Sequence, residues 1–433
     1  MIPLSRPESC GLLLFTIGII VWWLRKTAWS LLHPELLPPL AVFGAAVLGS
    51  SSGREVPQGS LLLALGWAVV GCVRYWPMRW NESASRLDQL GMWLCGCGLI
   101  AWVEGATSPL ALCVPVVGLG IIRWMETQSV RESPDRCGLG ADAIAILLAL
   151  AGLLLPTLGV AGPDPQPIWR TIALICLLTG TGWLTRLFPL PRLSRQQSTD
   201  GWEIIGPQLL PLILLPLLWL QGLPHLLVDE RQLSVLMPAI ILPLLLIAIR
   251  VDLSRPVGQQ LQLLAGVTIC GGLAAVVLAG WDLLHPELSL AAAQPLQSGR
   301  GLVPMILLLD SVGWVVLLCG LHWRHSLSGR LLLFISIWTL AGLPPTPGFW
   351  WRLELLSGLV IPHTRAPHLG LYEVAPATVV FCGLLALGMW GPMVSWLRLL
   401  RDQTEISPWE STVPAPRTAP QVVPDGDPQG TSK

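Results

Sequence analysis

The sequence predicts an all-α polytopic membrane protein of about thirteen transmembrane helices. Three observations predict it. The 433 residues are 53% hydrophobic and only 12% charged, too little charge to cover a water-facing surface of this size. Apolar runs near 20 residues recur from Cys10 to Leu400, each long enough for a hydrocarbon core of about 30 Å. The 22 Trp against two Tyr fit interfacial anchoring, because Trp22, Trp23, Trp124, Trp202 and Trp323 fall at span ends.

The spans lie near 10–24, 32–50, 58–77, 87–105, 108–124, 141–162, 168–188, 202–227, 234–250, 257–281, 302–323, 330–361 and 373–400. Together they make residues 1–400 one helical bundle. Residues 401–433 are rich in Pro, Asp, Gln and Ser and read as a disordered tail. The first run has no secretory pattern: only Arg6 precedes it, and no small-residue cleavage site follows, so it is a retained span.

Loop charge supports this order. Odd-numbered loops hold most of the basic residues, among them Arg25, Lys26, Arg74, Arg79, Arg123, Arg131, Arg192, Arg195, Arg250, Arg324 and Arg398. Even-numbered loops hold Arg54, Arg231, Arg300 and Arg365. The positive-inside rule then places the N-terminus outside and the tail in the cytoplasm of an inner (cell) membrane. The lipid bilayer is the first partner implied. The net charge of zero and the lack of a basic cluster give no sign of a nucleic-acid partner.

The span near 330–361 contains LAGLPPTPGFWWRLELL. Pro344, Pro345 and Pro347 remove three backbone donors, and Gly342 and Gly348 let neighbouring backbone come close. Arg352 and Glu354 follow. One reading is a discontinuous helix with charge beside the break, the way transporters build ion paths. The other is an ordinary loop with interfacial charges. The eighth span carries Pro207, Pro211, Pro216 and Pro224, which serve either a cavity or lateral packing.

Few acids fall inside spans, and each is a functional candidate because ionisable groups are expensive there. Asp310 is the most central. Glu104 depends on where the turn between spans four and five lies. A turn at 105–109 puts it near the outer interface, and a turn at 95–98 puts it deeper. Arg170 and Arg186 stand near opposite ends of span seven, where snorkelling to the interface is the simpler reading. The segment Trp29-Ser-Leu-Leu-His-Pro-Glu-Leu recurs as Trp281-Asp-Leu-Leu-His-Pro-Glu-Leu. It either pairs His33 with Glu35 and His285 with Glu287 at a water-facing site, or punctuates two helix ends. Cys95 and Cys97 lack zinc spacing and a His cluster. No P-loop, dinucleotide glycine pattern, nucleophile–His set, haem or iron–sulfur spacing occurs, so the chain is expected to bind no cofactor and to do no redox chemistry itself.

LAGLPPTPGFWWRLELL resembles the LAG-[IL]-PP-x-x-GF-x-x-K segment of the antiporter-like membrane subunits of respiratory complex I, NADH-quinone oxidoreductase. Within that family it resembles subunit N and its chloroplast-type and Mrp-type relatives. Three further matches follow in order. Trp102-Val-Glu104-Gly-Ala-Thr-Ser-Pro-Leu resembles the family's fifth-helix G-L-E-x-x-S-L-P-L-Y. Arg186-Leu-Phe-Pro-Leu-Pro-Arg192 resembles the P-F-H-x-W-x-P-D end of the broken seventh helix. Asp252-Leu-Ser-Arg255 resembles the D-L-K-R that opens the tenth. The resemblance touches roughly 90 to 400. It implies broken helices near 168–191 and 330–361. It also implies a midplane proton path with Glu104, Asp310, Arg352 and Arg186 as candidates, and partner membrane subunits of a complex I-type or Mrp-type assembly.

The departures are specific. The chain holds two lysines, Lys26 and Lys433, and neither is in a central span. The family's seventh-helix lysine falls near Gly180, where Thr179-Gly-Thr-Gly182 offers no titratable group. Its twelfth-helix lysine is Arg352, which keeps its charge and cannot shuttle a proton by deprotonation. The expectation is an antiporter-like subunit, without a catalytic site of its own, that helps couple quinone-linked redox chemistry to proton or cation movement. Its own relay is expected to be weakened. A structural membrane scaffold and a stand-alone secondary transporter are the competing expectations.

Overall fold

In a computed structural model the described residues are 6–24, 83–106, 108–129, 136–158, 167–185, 201–227, 230–250, 257–284, 299–323 and 326–355. Among them the chain forms eleven helices and no strand. In chain order these are α1 (Arg6–Leu24), α2 (Ser83–Gly105), α3 (Pro109–Ser129), α4 (Arg136–Leu158), α5 (Pro167–Thr185), α6 (Gly201–Leu226), α7 (Glu230–Arg250), α8 (Val257–Leu284), α9 (Gly299–His322), α10 (Leu327–Leu340) and α11 (347–355). The expected spans near 32–50, 58–77 and 373–400, the tail, both histidines of the repeat, Asp252–Arg255 and Arg186 lie outside the described residues.

The helix ends follow local chemistry. Ser108 caps α3: its hydroxyl accepts from the Ala111 amide at 3.2 Å, and Pro109 takes the first helical position. Ser326 caps α10 in the same way through the Gly329 amide at 3.0 Å. Between α2 and α3 the chain turns at 106–108, so α2 runs unbroken through Cys95–Gly98 and the alternative turn there is excluded.

Glycines set the closest packing. Gly11 and Gly18 of α1 face Gly98 and Gly91 of α2, an antiparallel pairing with a seven-residue step on both helices. A Cβ at Gly11 would stand 2.6 Å from the Gly98 carbonyl, and one at Gly18 would stand 2.7 Å from the Gly91 carbonyl. Small residues let membrane helices approach this closely and gain van der Waals contact.

The centre is built from α6 and α8. Helix α6 packs against α2, α3, α4, α5, α8 and α9 and joins the two halves of the bundle. Its residues 210–219 are apolar on every side and buried, as a surrounded helix segment must be. Pro216 serves lateral packing: it lies against Gly272 of α8, where a Cβ would come within 2.9 Å of its ring, whereas Pro224 is exposed. Residues 261–280 of α8 are buried without a break, and the last turn, 281–284, is half-buried. The outer helices are the reverse. Gly140–Thr157 of α4 is long and apolar enough to cross a bilayer, yet only a third of it is buried. Ile144 and Leu147 are 61% and 66% exposed, and Leu331 and Ile335 of α10 also point outward. An apolar outer rim around an apolar core suits lipid, not water.

Candidate functional site: the broken helix and its arginine

Helix α10 stops at Leu340, residues 341–346 turn, and α11 resumes at 347. The prolines dictate the stop. In a continued helix the Leu340 carbonyl would accept from the amide of residue 344, and the Leu343 carbonyl from residue 347. Both positions are proline and have no amide hydrogen. The freed carbonyls must find other donors in an apolar interior.

Side chains supply them. The Arg352 guanidinium donates from Nη2 to the Leu340 carbonyl, and from Nη1 to the carbonyls of Thr339 at 3.2 Å and Gly348 at 2.9 Å. Thr346 donates its hydroxyl to the Leu343 carbonyl at 2.6 Å and its amide to the same oxygen at 3.1 Å. The Trp338 indole donates to the Pro344 carbonyl at 2.9 Å. Arg352 thus closes the C-terminal end of α10, where the helix dipole also favours positive charge.

The two glycines make room for this cap. Gly342 has φ +68°, a left-handed conformation, and a Cβ there would lie 2.4 Å from Arg352 Cδ. A Cβ at Gly348 would lie 1.8 Å from the Thr339 carbonyl oxygen, so only glycine lets α11 start against the end of α10. Pro344, Pro345 and Pro347 are exposed and act by what they lack.

Asp310 joins from α9. It is 2% exposed, and its Oδ1 accepts from the Trp351 indole at 3.2 Å. The face of that indole lies 4.2 Å from Arg352 Cζ, within cation–π range. Trp351 thus contacts both charged side chains, Asp310 through its N–H and Arg352 through its ring face. Asp310 Oδ2 and Arg352 Nε are buried with no hydrogen-bond partner among the described residues. Trp351 is fully buried, with Gly271 of α8 against its ring edge.

The remaining candidates sit elsewhere. Glu104 stands one residue from the C-terminal end of α2, and its side chain is outside the described residues. Glu354 is exposed on α11. Gly180 of α5 lies against the α4 backbone, where a Cβ would come 2.4 Å from the Ala149 nitrogen and 2.5 Å from the Ala145 carbonyl. No side chain fits there without separating α4 from α5. The nearest buried polar group is Thr181, which donates to the Leu177 carbonyl at 2.6 Å and accepts from the Trp219 indole at 3.3 Å.

Two buried polar contacts were not singled out in the sequence. Trp351 was given no role there. Arg123 was counted as a loop charge, yet it is 5% exposed on α3 and donates from Nε to the Leu184 carbonyl at 3.2 Å, at the C-terminal end of α5.

No protein-family model matches the chain, and no curated protein matches it by sequence. Solved structures do match. A chain of respiratory complex I from Thermus thermophilus with bound aureothin superposes with a TM-score of 0.60 at 15% identity, over 88% of this chain and 89% of that one. A chain of the membrane-bound sulfane sulfur reductase, an archaeal respiratory membrane complex, superposes with a TM-score of 0.62 at 14% identity, over 92% and 88%. The likeness covers nearly the whole chain and agrees with the resemblance carried by LAGLPPTPGFWWRLELL. With the apolar rim it supports a multi-pass membrane location. The chain therefore has the fold found in the membrane part of complex I-type respiratory assemblies.

Proposed function

We propose that the chain is a divergent antiporter-like subunit of a complex I-type ion-translocating membrane assembly, and that its own proton relay is weakened. It sits in an inner membrane with its N-terminus outside and its tail in the cytoplasm. Partner subunits supply the quinone-linked redox step, and this chain helps couple that step to proton or cation movement. Glu104 and Asp310 are the titratable groups left for such a path. Arg186 and Arg352 contribute fixed charge.

The carrying observation is the guanidinium of Arg352. Its two Nη atoms are committed to three backbone carbonyls of the broken helix. A relay residue must release a proton and reorient, and a group that closes a helix end in this way does neither. The sealed backbone at Gly180 supports the same reading from the seventh expected span, where α5 runs unbroken from Pro167 to Thr185 and any discontinuity near 168–191 falls outside the described residues. Both features equally favour a purely structural subunit that keeps the fold for assembly, so the two readings part on ion movement.

Affinity purification of the full chain in mild detergent tests membership. The expected result is stoichiometric recovery of other membrane subunits with quinone-linked oxidoreductase activity in the same particle. A monodisperse chain that alone moves a small solute across vesicles would replace the proposal with the stand-alone transporter.

A further inference from the structure

We propose that the break between α10 and α11 is a cation-binding site permanently filled by the protein's own guanidinium. This deepens the reading above, because it says what occupies the broken helix, but it concerns binding and not coupling. Three carbonyl oxygens, from Thr339, Leu340 and Gly348, converge on Arg352. Two of them belong to the C-terminal end of α10, the negative pole of that helix. The indole face of Trp351 lies 4.2 Å from the same cation. Beyond it stands Asp310, whose Oδ2 is buried and unpartnered among the described residues. Carbonyls, a π face and a carboxylate around a buried guanidinium form a negative cradle for one monovalent cation.

The cradle is shaped for a tethered cation. Gly342 and Gly348 leave the volume that the arginine stem and head fill, since a Cβ at either would touch Arg352 atoms at 2.4 and 3.0 Å. Removing the side chain at Arg352 therefore empties a site of guanidinium size and leaves the carbonyls and Asp310 in place. The ligand class is a planar organic monocation, with guanidinium ion the smallest member. An alkali cation is the less favoured guest, because the carbonyls are spread to meet a fork of N–H donors and not a sphere.

The test is thermal unfolding of the full chain in lipid nanodiscs. Arg352→Ala lowers the midpoint, and guanidinium at millimolar, non-denaturing concentration raises it again in a saturable way. Neutral urea does not, and neither ligand raises the midpoint of the unaltered protein. The double variant Arg352→Ala with Asp310→Asn binds guanidinium more weakly. Equal effects of guanidinium on the unaltered protein and Arg352→Ala, or no saturable rise, overturn the proposal. If Arg352→Ala does not fold, Arg352→Lys and Arg352→Gln decide it. Lysine keeps the charge with less suitable donors, whereas glutamine keeps amide donors without charge. A filled cation site ranks Lys above Gln in midpoint. A cap held by hydrogen bonds alone ranks Gln level with Lys or above it, and overturns the proposal. Neither outcome bears on whether partner subunits co-purify.

Discussion

The Leu340 carbonyl accepts its hydrogen bond from Arg352, twelve residues further along, because Pro344 removes the donor four residues along. One proline creates a need and one arginine meets it. The geometry in between depends on two glycines, and this dependence can be measured.

Gly348→Ala places a methyl group 1.8 Å from the Thr339 carbonyl oxygen, which forces α11 away from α10. Overpacking of this kind costs about 1–3 kcal/mol, and here the obstacle is backbone. Gly342→Ala adds left-handed strain of about 1–3 kcal/mol to its clash with the Arg352 stem. Unfolding titrations in mixed micelles should show both variants destabilised by at least about 1 kcal/mol. Alanine at the exposed Pro345 should cost less than either.

Trp351→Phe keeps an aromatic face, though a smaller one, and removes the donor to Asp310 Oδ1. Both carboxylate oxygens are then buried without a partner among the described residues, a loss of about 1–3 kcal/mol. In a double-mutant cycle, Asp310→Asn should relieve part of that loss, giving a coupling of about 0.5–3 kcal/mol between the two positions. Strict additivity would mean that the 3.2 Å hydrogen bond contributes nothing.

Gly180→Lys restores the family's seventh-helix lysine at the position expected for it. The backbone of Ala145 and Ala149 occupies the space that its Cβ needs. The variant should fold poorly, with a midpoint well below that of the unaltered protein, and should gain no proton flux. A stable variant would show that α4 and α5 separate easily.

Much of this was legible beforehand. The ten helices from α1 to α10 fall where apolar runs and loop charge put them, and the prolines announce the break after Leu340. The role of Arg352 was also half-written, because counting four residues on from Leu340 lands on Pro344. What could not be read is which cation fills the gap, since that depends on the chain folding back over the turn at 341–346. Arg123 was hidden for the same reason. In sequence it is an arginine near a span end, and only the packing of α3 against α5 brings it to the Leu184 carbonyl. Of the two turns open in the sequence, the one at 105–109 is found, and the Ser-Pro pair at 108–109 that starts a helix favours it.

Proton flux into pyranine-loaded vesicles holding the full chain alone, under an imposed gradient, tests the central claim most directly. With Arg352 fixed in the break and Gly180 sealed, the account predicts flux at the level of empty vesicles, unchanged by Asp310→Asn. Flux about tenfold above empty vesicles that Asp310→Asn abolishes, a loss of about 1.4 kcal/mol or more in barrier terms, would contradict it.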